Sequence, residues 1–298
     1  EQPSDPARFA ESMVPLRAAI DYAGLFPPAA LPMAETVANY ARYRGSTDAW
    51  ALGRLIVPAA RLVEMLSELE RAGVDSTGWR LSVTLGADLD AELALVAAAE
   101  PALAKMGAGV DCLEARTASA DDVTRLASGG AGKLWYAETP LDGGMDAVLD
   151  TIASHGGRAK IRMGGVTVEA FPPTDAVARF LLGVAARRLP FKATAGLHHP
   201  IRGSYPLTYA PDAPRGTMYG YLNLLVATGL AEAGRPAADL AAALETTNST
   251  DLLAGGNLGW RSEPLEASLL TRIDDRFHGF GSCSFREPMD ELLTTMTR

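Results

Sequence analysis

Short β-prone runs alternate with helical patterns along the whole chain, and no other feature constrains its fold as strongly. Such alternation is typical of βα units whose strands pair in parallel. The predicted strands lie near Ala18–Gly24, Leu52–Val57, Trp79–Leu85, Val110–Ala115, Lys133–Glu138, Ala159–Met163, Phe191–Ala195 and Phe277–Ser282. Eight units in one α/β chain favour a (β/α)8 barrel, the TIM barrel. We predict a single barrel domain over residues 1–298, with an N-terminal helix around Ala7–Met13.

The loop after the first strand argues against the main alternative fold, a doubly wound sheet. Doubly wound sheets often carry a glycine-rich phosphate turn at this position. Here the sequence runs Asp21-Tyr-Ala-Gly-Leu-Phe-Pro-Pro28 and contains no G-x-G-x-x-G pattern. The Pro-Pro pair is also unsuited to a dinucleotide cradle, so the barrel is favoured.

Composition excludes several classes of function. The 298-residue chain has a formal net charge of −9 and a pI of about 5.0, whereas nucleic-acid binding needs a basic surface. No apolar run approaches the ~18 residues of a membrane helix, and the first residues do not resemble a signal peptide. The cysteines, Cys112 and Cys283, fit a reduced compartment better than a disulfide framework. We expect a cytoplasmic protein with a small-molecule substrate and no nucleic-acid or membrane partner; a homo-oligomer is compatible with these features.

The connection between the seventh and eighth strands is long and helical. Residues 201–275 include predicted helices at Met218–Ala233, Pro236–Glu245 and Pro264–Ile273. Loops at the carboxyl ends of barrel strands build active sites, so this segment is predicted as a lid or a substrate-shaping subdomain. An insertion used for packing or oligomerisation is the alternative, and loop length alone does not separate the two.

Two of the chain's four lysines occupy matching places in the sixth and seventh strands. Lys160 lies in Ala159-Lys-Ile-Arg-Met-Gly164, and Lys192 lies in Phe191-Lys-Ala-Thr-Ala-Gly196. If both face the barrel interior, their ammonium groups are one strand spacing apart, ~5 Å, where like charges repel by roughly 3 kcal/mol. The repulsion favours a neutral amine, the form that attacks carbonyl groups. The alternative is structural, with one lysine at the barrel rim or paired with a carboxylate.

Carboxylates on neighbouring strands are candidate proton shuttles. Asp111 and Glu114 lie in the fourth strand and point to opposite faces of a regular strand, so only one faces the interior. Glu138 ends the fifth strand. A lyase that works through an imine needs proton transfer, and we predict Asp111 and Glu138 for this role. A salt bridge or a helix cap is the alternative for each.

The eighth strand ends in a turn rich in glycine and serine. Barrels often bind phosphate through backbone N–H groups after the seventh and eighth strands, so Gly281 and Ser282 are candidate contacts for an anion. An ordinary helix cap by Ser284 is the alternative. Glu287, beside the start of the last helix, opposes an anion there.

Three histidines flank the same two strands. His198 and His199 follow the seventh strand, and His278 lies in the eighth. Adjacent histidines on an extended chain point apart, and the sequence has no H-E-x-x-H motif and no cysteine cluster. We therefore predict that the histidines contact the substrate. A divalent metal near His198 and His278 is the alternative.

At these residues the chain resembles the deoxyribose-phosphate aldolases, a group of class I aldolases with a (β/α)8 barrel. The segments around Lys160 and Lys192 are similar to those that carry the family's Schiff-base lysine and its second lysine. Val110-Asp-Cys-Leu113, Glu138-Thr139 and Gly281-Ser-Cys-Ser284 resemble the family's fourth, fifth and eighth strands. The resemblance implies an imine at Lys160 with no separate cofactor.

Departures from the family pattern concern the substrate. Arg162 and Met163 replace small hydroxyl residues after the first lysine. Ala195-Gly196, followed by two histidines, replaces the Gly-Gly of the family's phosphate site. The insertion after the seventh strand is foreign to the family. The deoxyribose-phosphate substrate is therefore not carried over.

We expect a lyase of the aldolase type that acts on a small anionic carbonyl compound of carbohydrate metabolism. The candidate catalytic residues are Lys160, Lys192, Asp111 and Glu138, and the candidate substrate-binding residues are Arg162, Thr194, His198, His199, Arg202, Gly281, Ser282 and His278. One alternative is a barrel enzyme without a covalent step, in which the lysines act as a base or as electrostatic groups, with or without a metal. The other is a barrel that binds a ligand without turning it over.

Overall fold

A closed barrel of eight parallel strands forms the centre of the protein, in a computed structural model that describes residues 13–130 and 132–296. The barrel strands are β1 (Ile20–Tyr22), β2 (Leu52–Pro58), β3 (Arg80–Leu85), β4 (Gly109–Arg116), β5 (Leu134–Glu138), β6 (Arg158–Arg162), β7 (Phe191–Thr194) and β13 (Phe277–Ser282). Between β7 and β13, five short strands lie outside the barrel: β8 (Gly203–Pro206), β9 (Arg215–Met218), β10 (Leu253–Ala254), β11 (Asn257–Trp260) and β12 (Glu263–Pro264). β13 closes the barrel between β7 and β1. The predicted (β/α)8 fold is confirmed. The predicted N-terminal helix lies, apart from Met13, outside the described residues.

Helices surround the barrel. They are α1 (Met33–Arg44), α2 (Leu62–Ala72), α3 (Leu89–Lys105), α4 (Ala120–Gly129), α5 (Met145–Ser154), α6 (Thr174–Arg187), α7 (Tyr221–Glu232), α8 (Ala237–Glu245), α9 (Ser249–Leu252), α10 (Ala267–Arg276) and α11 (Arg286–Met296). Buried residues recur at helical spacing, as Leu62, Met65 and Leu69 do in α2, so one apolar stripe of the helix faces the core. Within the described residues, every helix is too short or too polar to cross a membrane.

The barrel strands bury both of their faces, and the two faces differ in chemistry. Outward side chains such as Val83, Leu113 and Ile161 are fully buried in the apolar core. Because side chains alternate along a strand, the neighbours of these residues point into the lumen. Glu114 and Lys160, next to Leu113 and Ile161, are such neighbours, and the lumen is therefore polar at its centre.

The segment between β7 and β13 combines two parts. α7 is buried from Tyr221 to Ala231 and packs against α6, α8 and α10 in the outer layer of the barrel. The hairpin β8–β9 reaches the carboxyl ends of the barrel strands, where Tyr209 donates a hydrogen bond to Glu287. The lid and packing roles of residues 201–275 both stay predictions.

Candidate active site in the barrel lumen

Lys160 and Lys192 lie side by side in the lumen. The two residues are direct partners across β6 and β7, and their side chains are only 7% and 1% exposed. The outward neighbours, Ile161 and Ala193, pack in the core, so alternation along each strand turns both lysines inward. The structure thus places neither lysine at a solvent-facing rim.

Glu114 on β4 bridges the two lysines. Its Oε1 accepts a hydrogen bond from Lys192 Nζ at 2.6 Å, and its Oε2 lies 2.9 Å from Lys160 Nζ. Ser82 Oγ also donates to Oε1 at 2.6 Å. Burial works to raise the pKa of Glu114, but the positive charges of Lys192 and Lys160 outweigh it and hold that pKa well below its ordinary value. Glu114 is therefore ionised at neutral pH.

Asp21 on β1 is the second partner of Lys192. Its Oδ2 accepts from Lys192 Nζ at 2.5 Å, and its Oδ1 accepts from the backbone N–H of Arg54 at 2.6 Å. Burial alone would lower the pKa of Lys192, yet Asp21 and Glu114 raise that pKa well above its ordinary value. Lys192 is a fixed cation. The prediction of a net repulsion between the two lysines is therefore wrong, because the carboxylates of Asp21 and Glu114 offset the charge of Lys192.

Glu138 at the end of β5 connects Lys160 with the barrel mouth. Its Oε2 lies 3.3 Å from Lys160 Nζ, and its Oε1 accepts from Arg162 Nε at 3.0 Å and lies 3.4 Å from Arg116 Nε. Burial works to raise the pKa of Glu138. The positive charges of Lys160 and Arg162 outweigh this effect, so the pKa of Glu138 lies below its ordinary value. The side chains of Arg162 and Arg116 are 43% and 74% exposed. Two guanidinium groups therefore face solvent beyond Lys160.

Asp111 does not join this cluster, which corrects its predicted role as a proton shuttle. Leu81 pairs with Val110 and Ser82 with Cys112, so the β3–β4 register skips Asp111. Arg54 holds the displaced carboxylate through Nε–Oδ1 at 2.8 Å and Nη2–Oδ2 at 3.1 Å. The carboxylate of β4 beside the lysines is Glu114, three residues further along the strand.

The structure also separates His278 from His198. His278 Nδ1 lies 3.2 Å from the hydroxyl of Tyr136, and burial together with the charge of Arg158 lowers the pKa of His278 to about 4. His198 Nδ1 instead lies 3.3 Å from Ser282 Oγ, four residues further along β13. Four strand residues span roughly 13 Å, so these two histidines do not share a metal ion.

The other residues predicted on β7 and β13 form the wall near the barrel mouth. Gly281 pairs with Thr194 on one side and with β1 on the other. Ser282 is buried against His198. Ser284 Oγ accepts the backbone N–H of Glu287 at 3.1 Å, which is the helix-cap arrangement.

His199 and Arg202 lie outside the lysine cluster. His199 Nδ1 lies 2.9 Å from Glu291 Oε2, and its ring stacks on Tyr205 with centroids 3.4 Å apart. The Arg202 guanidinium lies 4.7 Å from the ring centroid of Tyr219 and borders a cavity of about 420 Å³. Lys160 and Lys192 border neither this cavity nor a second one of about 360 Å³ near β1, so the structure does not bring His199 and Arg202 to the predicted substrate site.

Sequence reasoning did not select Asp21, Glu114 and Arg116 as site residues. Glu114 and Arg116 lie two residues apart on β4, a spacing that places both on one strand face, so a choice of Glu114 over Asp111 would have found both. Asp21 carried no such signal, because its partner Lys192 lies 171 residues away in the chain and only barrel closure brings the two together.

Comparisons with known proteins include a distant structural likeness. No protein-family model matches this chain, and no curated protein matches it. Among solved structures, the chain matches lysine/ornithine decarboxylase from Vibrio vulnificus, crystallised with cadaverine, at a TM-score of 0.36 and 11% sequence identity. The match covers 63% of this chain and 49% of that protein, so it spans about half of the decarboxylase. A likeness this weak carries no argument about chemistry.

Proposed function

We propose that this protein is a lyase of the aldolase type that forms an imine between Lys160 and a small anionic carbonyl compound. The observation that carries the proposal is the buried pair of lysines, partners across β6 and β7 and joined by Glu114. Interior ammonium groups are costly to desolvate, so two of them in one lumen point to a use for them. Lys192 is nearly sealed and held by two carboxylates, whereas Lys160 has contacts that lead to the mouth.

Lys160, Glu114 and Glu138 each have a role in this reaction. A carboxylate of the cluster first takes a proton from the Lys160 ammonium, and the neutral Nζ then attacks the carbonyl carbon to form a C–N bond. The carbonyl oxygen leaves as water with one proton from the amine and the one that the carboxylate returns, which leaves an iminium. In the cleavage direction, the bond between the α and β carbons then breaks, and its electron pair passes to the iminium nitrogen to give an enamine. The β-hydroxyl loses its proton as the aldehyde departs. Glu114 touches Lys160 and Glu138 lies between Lys160 and the mouth, so these carboxylates accept and return the protons.

The two arginines at the mouth support an anionic substrate. Arg162 and Arg116 both contact Glu138 Oε1, yet each guanidinium keeps a large part of its surface in solvent. A guanidinium binds carboxylate and phosphate groups through paired donors. The anionic end of the substrate would lie between these side chains, with its carbonyl carbon directed toward Lys160.

Reductive trapping tests the imine. The protein is incubated with a panel of small aldehydes and ketones, reduced with borohydride, and digested for mass spectrometry. Because the chain has four lysines, the adduct can be assigned to one side chain, and we expect it on Lys160. Lys160→Arg should lose both the adduct and turnover, while Lys105→Arg, at the exposed end of α3, should retain both. No adduct under conditions that trap a known class I aldolase, or full turnover in Lys160→Arg, would refute the proposal.

The ion pairs of both lysines favour one second candidate, a barrel enzyme that abstracts a proton without a covalent step. In that case Lys160 and Lys192 stabilise a developing enolate, and Glu138 acts as the base. Exchange of substrate hydrogen with D2O, in the absence of any borohydride adduct, would identify this enzyme. A ligand that raises the Tm without being turned over would instead identify a binding protein.

A further inference from the structure

We propose that His199, Glu287 and Glu291 bind a divalent transition cation of the Zn²⁺ or Mn²⁺ type. One donor atom of each residue lies within 4.8 Å of the other two. Zinc with bonds of about 2.1 Å holds tetrahedral ligands roughly 3.4 Å apart. Side-chain rotations that move the donor atoms by about 1 Å would therefore close the site. Glu287 and Glu291 are one helical turn apart in α11 and therefore share a face. The proposal does not depend on the chemistry of the lysines.

The donor set selects the class of cation. One imidazole nitrogen and two carboxylate oxygens suit Zn²⁺ and Mn²⁺, whereas Mg²⁺ and Ca²⁺ prefer oxygen ligands alone. Three protein ligands also leave a coordination position open for water or a bound molecule. His198 is not one of the three clustered donors, and its Nδ1 lies 3.3 Å from Ser282 Oγ and 3.7 Å from Glu287 Oε2.

Outer contacts hold the donors in place. The ring of Tyr205 stacks on His199 with an interplanar angle of 9°, and the hydroxyl of Tyr209 donates to Glu287 Oε2 at 2.9 Å. Tyr205 lies on β8, and Tyr209 lies in the turn between β8 and β9. Metal ligands are commonly oriented by such second contacts. The hairpin would therefore form part of the metal centre as well as part of the barrel mouth.

The charges at this cluster are unbalanced without a cation. Among the described residues, Glu287 and Glu291 form ion pairs with histidines alone, His198 at 3.7 Å and His199 at 2.9 Å. The neighbouring Arg286 pairs instead with Asp48 and Asp290. Two carboxylates that face each other without a lysine or arginine attract a divalent cation.

Cavities on both sides give the ion access. Glu291 borders the cavity of about 420 Å³ together with Tyr205, and Glu287 borders the cavity of about 360 Å³ together with Tyr209. Each cavity is large enough for several water molecules. The open coordination position can therefore take water or a small ligand from either side.

Calorimetric titration tests the site. The full chain, stripped of metal with a chelator and dialysed, is titrated with Zn²⁺ and separately with Mn²⁺, and the metal content is measured by mass spectrometry. We expect about one equivalent of tightly bound metal and an affinity at least ~10-fold weaker in His199→Gln and Glu291→Gln. His155→Gln, at the exposed end of α5, is the matched control and should bind like the wild type.

Two results would overturn the proposal. One is substoichiometric binding of both metals to the folded wild type. The other is an unchanged affinity in the variants, which would locate the metal elsewhere. If His199→Gln does not fold, as judged by circular dichroism, Glu287→Gln replaces it, because Glu287 is only partly buried.

Discussion

Glu114→Gln is the perturbation that probes the lumen most directly. The substitution keeps the size of the side chain and removes the negative charge that Lys160 and Lys192 share. Lys192 then keeps Asp21, and Lys160 keeps Glu138. Glu138 already balances Arg162, however, so one buried cation is left without a counter-charge.

The expected cost follows from this surplus charge. Removing one partner of a buried ion pair lowers the free energy of unfolding by roughly 3–5 kcal/mol. At about 2 °C per kcal/mol for a domain of this size, the Tm should fall by roughly 6–10 °C. Adding Lys160→Met to Glu114→Gln restores the charge balance, because Lys192 pairs with Asp21 and the remaining carboxylate pairs with an arginine. The double variant should therefore be more stable than Glu114→Gln alone.

Thermal and urea unfolding at neutral pH measure both effects. Glu64→Gln is the control, because Glu64 forms an exposed ion pair with Arg61 that should contribute less than ~1 kcal/mol. Two results would show that Glu114 does not balance the charges of Lys160 and Lys192. One is a loss in the free energy of unfolding below ~1 kcal/mol for Glu114→Gln. The other is a double variant that is less stable than Glu114→Gln alone.

Three further predictions concern other parts of the barrel. If Arg162 binds the anionic end of the substrate, Arg162→Ala should raise KM for the trapped carbonyl compound about 10-fold and change kcat less; steady-state kinetics measure this, and an unchanged KM would exclude the contact. The pKa of His278 is about 4 in the folded protein and ordinarily 6.5, so the unfolded chain gains its proton first and stability falls as the pH drops from 6.5 to 4. The Tm of His278→Gln should fall less over that window than the Tm of the wild type. Gly279 has φ +123°, and a Cβ there would lie 2.3 Å from a backbone oxygen. Gly279→Ala should cost at least ~2 kcal/mol in urea unfolding, whereas Gly109→Ala, where a Cβ meets nothing within 4 Å, should cost far less.

The elements of the barrel could be predicted because their signals are local. Strand six was predicted at Ala159–Met163 and lies at Arg158–Arg162, and the eighth barrel strand, Phe277–Ser282, was predicted with the observed ends. These patterns depend on the alternation of apolar residues within one segment. The first strand was predicted over seven residues and has only three, because hydrogen bonding to β2 and β13 decides where it ends.

Within the candidate site, the sequence determined less. Alternation indicated that Lys160 and Lys192 share the lumen if β6 and β7 pair, and they do. It required one of Asp111 and Glu114 to face inward, but a skipped register between β3 and β4 decided which. No local pattern records such a skip, because it arises from the pairing of two strands.

The sequence by itself determined the class of fold and the presence of two lysines on its inner wall, since both follow from periodicities within short segments. Only the tertiary structure decided the charge state of the site. Asp21 lies 171 residues before Lys192 in the chain and reaches it because barrel closure brings β1 near β7. Electrostatic energy depends on distance in space and on burial, and neither is fixed until the barrel closes.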